Sequence, residues 1–179
     1  MIESTETMRS LTLACVSFLI FAFLSVTPAS AQDAMPTKEE TVNYLNKKLQ
    51  EVMGRSPNED RRQVFNSAHF KFVQNKVEIR VQQAIVSPAV RIAVFDPAHI
   101  GKVSVDKGTY GNPDVGWIQI GFASKLVEHK FPDLKGQDSF YDHARFPFLR
   151  SVPGNAEKIV KAIHHLRDLA KAEDDLFSN

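Results

Sequence analysis

The stretch HFKFVQNKVEIRVQQ, residues 69–83, decides the fold, because apolar residues recur in it at every second position. A period of two places successive side chains on opposite faces of a β-strand. The polar pair Gln74–Asn75 interrupts the alternation, so the stretch predicts two short strands joined by a hairpin turn. The alternating residues are Phe70, Phe72, Val77, Ile79 and Val81.

The same alternation continues downstream in short segments separated by turn residues. Strands are predicted in VRIAVFD (90–96), KVSVD (102–106), WIQIGF (117–122) and, as one or two strands, FYDHARFPFLR (140–150). In WIQIGF, the even-numbered residues from Ile118 to Phe122 form the apolar face. Pro147 indicates an edge strand or a bulge, because proline has no N–H to give to a neighbouring strand.

A helix is predicted on each side of this β-rich region. Before it, residues 37–53 carry a capping box, Thr37 with Glu40, and an apolar face that ends just before Gly54. After it, NAEKIVKAIHHLRDLAKA (155–172) predicts a long amphipathic helix that is capped by Asn155. Its apolar stripe, expected to cover an open end of the sheet, consists of Ile159, Ile163, Leu166 and Ala170.

These elements predict an α+β protein: an N-terminal helix, an antiparallel curved sheet or small barrel of six to seven strands, and a C-terminal amphipathic helix. This order resembles the pleckstrin-homology-like fold. Two motifs, PTKEETVNYLNKKL (36–49) and AEKIVKAIHHLRDLAKA (156–172), also resemble small secreted bacterial proteins of unknown role. The resemblance implies a binding module and brings no catalytic residues. Phosphoinositide binding does not transfer, since the first hairpin offers only Lys76, with Lys71 nearby.

The start of the chain has the pattern of a secretory signal peptide. A single arginine, Arg9, precedes an apolar run from Leu11 to Val26, and small residues at Ala29 and Ala31 follow. The run is shorter than the roughly 20 residues of a membrane-spanning helix. We therefore expect residues 1–31 to be removed, leaving one domain, 32–179 with its core at about 37–172, in the periplasm or outside the cell.

The cysteine content and the net charge exclude some classes of catalysis and of binding partner. Cys15 is the only cysteine, and its place inside the apolar run predicts removal with the signal rather than lipidation. Cysteine catalysis is then excluded. The formal net charge of +1 offers no strongly basic field for nucleic acid, and no stable membrane span is expected in the mature chain. Because Glu3 and Glu6 are unusual in a signal peptide, translation from Met8 stays open.

Few residues have the pattern of a functional site. His164 and His165 are adjacent, so they diverge by about 100° on a helix and do not form the i, i+4 pair of a helical metal site; we expect a solvated pair, with Asp168 four residues beyond His164. Asp138, Asp142 and His143 lie close in sequence. In one strand the two carboxylates would share a face opposite His143, and His69, His99 or His129 would be needed to complete a metal or acid–base site.

The glycine-rich stretch GTYGNPDVG (108–116) reads as a long hairpin loop, and it offers Lys107 and Tyr110 as contacts for a partner. No serine-hydrolase elbow or phosphate-binding loop motif occurs, and no cofactor is expected. The sequence therefore favours a non-enzymatic binding or adaptor module. The alternatives are a small metal-dependent hydrolase and a carrier of an apolar ligand in a cavity lined by Phe70, Phe72 and Trp117.

Overall fold

A computed structural model describes residues 35–58, 63–84, 86–106 and 113–177. The described chain forms two helices, α1 (Lys38–Gln50) and α2 (Asn155–Phe177), and one 3₁₀ turn, Pro97–His99. Its strands are β1 (Phe65–Val73), β2 (Lys76–Gln83), β3 (Val90–Phe95), β4 (Ile100–Asp106), β5 (Val115–Phe122), β6 (Val127–Lys130), β7 (Ser139–Tyr141) and β8 (His143–Leu149). The α+β class predicted from the sequence is confirmed.

The strands form two open antiparallel sheets, so the predicted barrel is wrong. The first sheet has the order β1-β2-β3-β6-β7, and the second has the order β4-β5-β8. The chain leaves the first sheet after β3 through the 3₁₀ turn, where the Asp96 carboxylate accepts a hydrogen bond from the Ala98 N–H at 2.9 Å. It returns after β5 to add β6 beside β3, and neither sheet closes on itself.

The strand count of six to seven is also wrong, because eight strands are described. The segment 140–150 forms two strands, β7 and β8, which is one of the two predicted alternatives. The strand that was not predicted is β6, a short strand in which only Val127 is buried. Pro147 lies in β8, an edge strand of the second sheet, as its missing N–H predicts.

The hairpin in the opening stretch is confirmed. Phe70 pairs with Ile79 and Phe72 with Val77 across β1 and β2. Gln74 and Asn75 connect the two strands with positive φ angles of 50° and 61°, the left-handed backbone that a two-residue hairpin turn requires.

Three aromatic pairs join the two sheets, each with one ring from each sheet. Phe70 of β1 meets Phe146 of β8 edge to face, with ring centroids 5.0 Å apart. The other two pairs are Phe65–Trp117 at 5.8 Å and Phe95–Phe122 at 5.1 Å. Edge-to-face packing places the positive rim of one ring on the negative face of the other. The space between the sheets is thus filled around these contacts by large side chains.

Helix α1 begins as predicted and also protects an edge of the first sheet. The Thr37 backbone N–H donates to Glu40 at 2.7 Å, and the Glu40 N–H donates to the Thr37 hydroxyl at 3.2 Å, which completes the capping box. Asn46 binds both backbone groups of Phe70 at 2.7 and 3.0 Å. Because β1 is an edge strand, this amide satisfies groups that a further strand would otherwise bind.

Helix α2 buries its predicted stripe of Ile159, Ile163, Leu166 and Ala170. It contacts α1, β4, β8 and the 3₁₀ turn.

The prediction that Asn155 caps this helix with its side chain is wrong. The buried Asn155 amide donates instead to the Leu149 carbonyl at 2.8 Å, and its Oδ1 has no hydrogen-bond partner in the described chain. Two helices on antiparallel sheets are compatible with a pleckstrin-homology-like arrangement.

Candidate functional site: a cleft lined by both sheets

An open cleft of about 420 Å³ is lined by residues of both sheets. The first sheet and its loops contribute Ile79, Val81, Gln83, Pro88, Arg91, Ala93, His129, Phe131 and Tyr141. The second sheet contributes Trp117, His143 and Arg145. We call this feature the inter-sheet cleft. Its volume lies within the range of roughly 300–1,000 Å³ that is typical of small-molecule sites.

Strand register explains why these residues meet. Ile79 pairs with Ala93 and Ala93 with His129, so one row of side chains crosses three strands of the first sheet. In the second sheet Gln119 pairs with Arg145 and Gly121 with His143. The neighbouring even-numbered residues of β5 face the core instead. In the second sheet the period of two thus separates a core face from a face toward the cleft. In the first sheet the cleft continues the core face, because Ile79, Val81 and Ala93 belong to both.

One part of the cleft is apolar and rigid. Ile79, Val81 and Ala93 are buried in the first sheet, and Trp117 stands on the second sheet. The Trp117 ring packs edge to face against Phe65, which is itself buried. These side chains offer a fixed surface to the apolar part of a ligand.

The rim of the cleft carries two arginines. Arg145 donates from Nε and Nη2 to the Gln119 Oε1 atom at 3.0 and 2.7 Å, which fixes the plane of its guanidinium. Arg91 lies near enough to His129 to disfavour the charged imidazole. In the part of the chain that the structure describes, neither arginine forms a salt bridge with a carboxylate, and no Asp or Glu lines the cleft. The rim therefore carries two arginines that are not ion-paired within the described chain, and the Asp142 carboxylate stands beside the lining on His143.

His129 is held by its neighbours in one tautomer. Its Nε2 lies 2.9 Å from the His143 carbonyl oxygen, and because a carbonyl only accepts, this nitrogen carries the hydrogen. The ring also packs on Tyr141, with centroids 4.6 Å apart. Burial lowers the pKa of His129, and the charges of His143 and Arg91 lower it further, although the hydrogen bond to the carbonyl opposes them. His129 is thus predominantly neutral at pH 7, with Nδ1 as an acceptor.

His143 forms a dyad with Asp142. The His143 Nδ1 lies 2.8 Å from Asp142 Oδ1, and this hydrogen bond is the main cause of the lowered pKa of Asp142. Such a pair can hold a proton, as in hydrolase triads. Among the described residues, however, no serine or threonine hydroxyl is hydrogen-bonded to the other nitrogen of His143. The arrangement binds and orients the imidazole without an aligned nucleophile.

Most of the residues that the sequence suggested for a metal or acid–base site lie apart in the structure. Asp138 precedes β7 and accepts from the Phe131 N–H at 3.2 Å, whereas Asp142 lies in the β7–β8 connection, so the prediction of one shared strand face is wrong. Of the three candidate partner histidines, only His129 comes near His143, with ring centroids 6.3 Å apart. His69 lies in β1, and His99 is paired with Asp96.

The histidine pair on α2 lies outside the cleft. Both rings are half-buried, and His165 Nε2 lies 2.6 Å from the Pro36 carbonyl oxygen. His165 therefore ties α2 to the residues that precede α1 and is less free than a purely solvated pair would be. His164 contributes to the lowered pKa of Asp168, behind the larger effect of the Arg167 hydrogen bond.

The remaining expectations concern the partner contact, the signal peptide, a metal site and a membrane span. Lys107 and Tyr110 lie outside them, as do residues 1–31, and the partner contact and the signal peptide stay predictions. Within the ranges, no three His, Asp or Glu side chains converge as a metal site would require. No described helix has the length and hydropathy needed to cross a membrane.

Sequence reasoning did not predict the cleft as a unit. Arg91 and Arg145 were not singled out, because an arginine at an outward position of a strand is ordinary. A signal did exist for β6, because Val127 and His129 alternate with Glu128 and Lys130, but the run is short. Phe70, Phe72 and Trp117 do not line one cavity: Phe70 packs in the core against Phe146, while Phe72 lies beneath the Lys38 ammonium group.

No protein-family model, curated protein or solved structure matches this chain. The geometry of the cleft is thus the basis for the functional argument.

Proposed function

We propose that this protein is an exported, non-enzymatic binding module that holds a small molecule in the inter-sheet cleft. One observation carries the proposal: the cleft is an open, partly apolar cavity that is lined by residues of both sheets beside the filled core. A small-molecule site typically combines such a concave apolar surface with a few polar groups that orient the ligand. The likeness to pleckstrin-homology-like binding modules supports this role by analogy only.

The other two functions have less support in the described residues. A carrier with its ligand deep inside would need an interior cavity, yet the interior is packed with Phe65, Phe95, Phe146 and their neighbours. A hydrolase would use the Asp142–His143 dyad as a general base, for which an aligned nucleophile or a metal-bound water is needed. A binding module needs only the cleft.

The proposal is tested by a nuclear magnetic resonance titration of the isotope-labelled mature chain. Trp117 is the only tryptophan, so its indole N–H gives one signal that reports on the cleft. Four phenylalkyl compounds serve as probes: 3-phenylpropionate, 2-phenylethyl phosphate, 3-phenylpropanol and 3-phenylpropylammonium. We expect at least one of them to shift the Trp117 indole signal together with the amides of Ala93 and His129, with saturation.

Backbone amides of the solvent-facing side of α2, such as Lys161, provide the internal control, and we expect them not to move. The proposal fails if no probe shifts the Trp117 signal at millimolar concentration. It also fails if the saturating shifts cluster on a surface away from the cleft.

Export rests on the apolar run from Leu11 to Val26 and the small residues at Ala29 and Ala31. The mass of the protein isolated from its native cell should correspond to a chain that begins at Gln32, with this glutamine free or cyclised. Replacing Ala31 with a bulky residue such as Phe should block this cleavage, whereas Ser30→Ala should permit it. A full-length chain recovered from the native cell interior would refute export.

A further inference from the structure

We infer that the ligand of the inter-sheet cleft is a small organic oxyanion with an apolar ring or chain, held by Arg91 and Arg145 at the rim. This inference rests on the proposed function and adds the chemical class of the ligand. It follows from the charge of the rim, the unused hydrogen-bond donors and the apolar surface beside them.

The charge of the rim selects for an anion. Two guanidinium groups stay protonated at any physiological pH, and no carboxylate among the described lining residues neutralises them. The two histidines of the lining are either neutral or positive, and the Asp142 carboxylate beside the cleft is hydrogen-bonded to His143 rather than to an arginine. The two arginines would repel a cationic ligand, whereas an anion would pair with them.

The free donors fit an oxyanion in particular. A guanidinium has five N–H groups, and Arg145 gives two of its nitrogens to Gln119 while Nη1 stays available. Gln119 thereby orients the group before a ligand arrives. The side chain of Arg91 has no hydrogen-bond partner in the described chain. Arginine binds carboxylate and phosphate oxygens through paired, charge-assisted hydrogen bonds.

Gln83 adds a neutral polar group to the lining of the cleft. It is only 6 % exposed and lies on the same face of β2 as Ile79 and Val81, which line the cleft. Its side-chain amide makes no hydrogen bond to any described residue. Its amide atoms are not fully enclosed, so the amide can donate a hydrogen bond to a ligand oxygen in the cleft.

The cleft also offers a surface for the apolar part of the ligand. Trp117 and Tyr141 present rings to the cleft, and Val81 and Ala93 form an aliphatic surface on the first sheet. A simple inorganic anion would leave this apolar surface exposed to water. An anion that carries a ring or a short chain would cover it and gain from the removal of apolar area from water.

The test compares the affinities of the same four probes, which share a phenyl ring and differ in charge. The quenching of Trp117 fluorescence and calorimetry both measure the affinity. We expect the carboxylate and the phosphate to bind at least about tenfold more tightly than the alcohol, and the ammonium compound to bind most weakly, because charge-assisted bonds are the stronger ones. The ratio of carboxylate to phosphate affinity distinguishes the two oxyanions.

Single variants assign the charge recognition to residues. Arg91→Gln and Arg145→Gln should each weaken the binding of the anionic probes by about tenfold and leave the affinity for the alcohol within about twofold. Arg55→Gln is the matched control, since Arg55 is exposed and lies outside the cleft, and it should change nothing. All three positions are exposed, so the variants are expected to fold, which circular dichroism verifies.

The outcomes separate the two proposals. If the alcohol binds as tightly as the anions, or if the arginine variants bind the anions as well as Arg55→Gln does, the oxyanion inference is overturned while the binding function stands. If no probe binds in the cleft, both proposals fall. Preference for the ammonium compound would overturn the inference directly.

Discussion

Replacing Ile163 with alanine is expected to lower the free energy of unfolding by about 2–5 kcal/mol, which includes the lost transfer energy and the cavity left behind. Ile163 is 1 % exposed and lies in the central stripe of α2. It belongs to the same core as Ile118 and Phe146 of the second sheet. Since small domains are stable by roughly 5–15 kcal/mol in total, this single change should clearly lower the midpoint of thermal or denaturant unfolding.

Lys161→Ala is the control on the same helix. Lys161 is exposed, so its removal should change the stability by less than about 0.5 kcal/mol. Equal midpoints for Ile163→Ala and the wild type would contradict the structure. The stripe would then be open in the monomer, and it would have to be reinterpreted as a docking surface for a partner.

Replacing Phe146 with alanine is expected to cost about 3–5 kcal/mol, near the upper end for a core substitution. The side chain is fully buried, and its ring meets Phe70 edge to face across the two sheets at an interplanar angle of 83°. The variant loses buried area, leaves a large cavity and removes one of the three aromatic contacts between the sheets. Chemical denaturation with a constant slope would measure the loss.

Phe140→Ala provides the matched control, because Phe140 is 60 % exposed on β7. We expect it to change the stability by less than about 0.5 kcal/mol. A double-mutant cycle with Phe70→Leu isolates the contact itself, for which an aromatic pair contributes roughly 0.5–1.5 kcal/mol beyond area. No coupling between the two positions would mean that the rings do not join the sheets.

Local rules were sufficient for the two helices and the first hairpin. Thr37 and Glu40 predict the start of α1, because a capping box depends on only four neighbouring residues. The turn at Gln74–Asn75 is similarly local, since it joins two strands that are adjacent in the chain. The buried stripe of α2 follows from the periodicity of one helix. These features could be predicted because their physical causes lie within a few residues of sequence.

Errors arose where a local feature depended on a distant one. Asn155 has the side chain of a good cap, yet its amide donates to the carbonyl of Leu149 at the end of β8. Asp138 and Asp142 were expected on one strand face, but the chain ends β7 before Asp142 because β8 belongs to the other sheet. The division of the strands between two sheets decided the second outcome.

By itself, the sequence determined the α+β class, the two helices, the first hairpin and which face of WIQIGF turns to the core, because periodicity and capping act over short distances. Only the tertiary structure decided that eight strands divide into two open sheets rather than a barrel. It alone brought Arg91, His129 and Tyr141 of the first sheet together with Trp117, His143 and Arg145 of the second. A cleft of this kind is set by the packing of two sheets, and the spacing of residues along one chain does not encode the pairing partner of each strand.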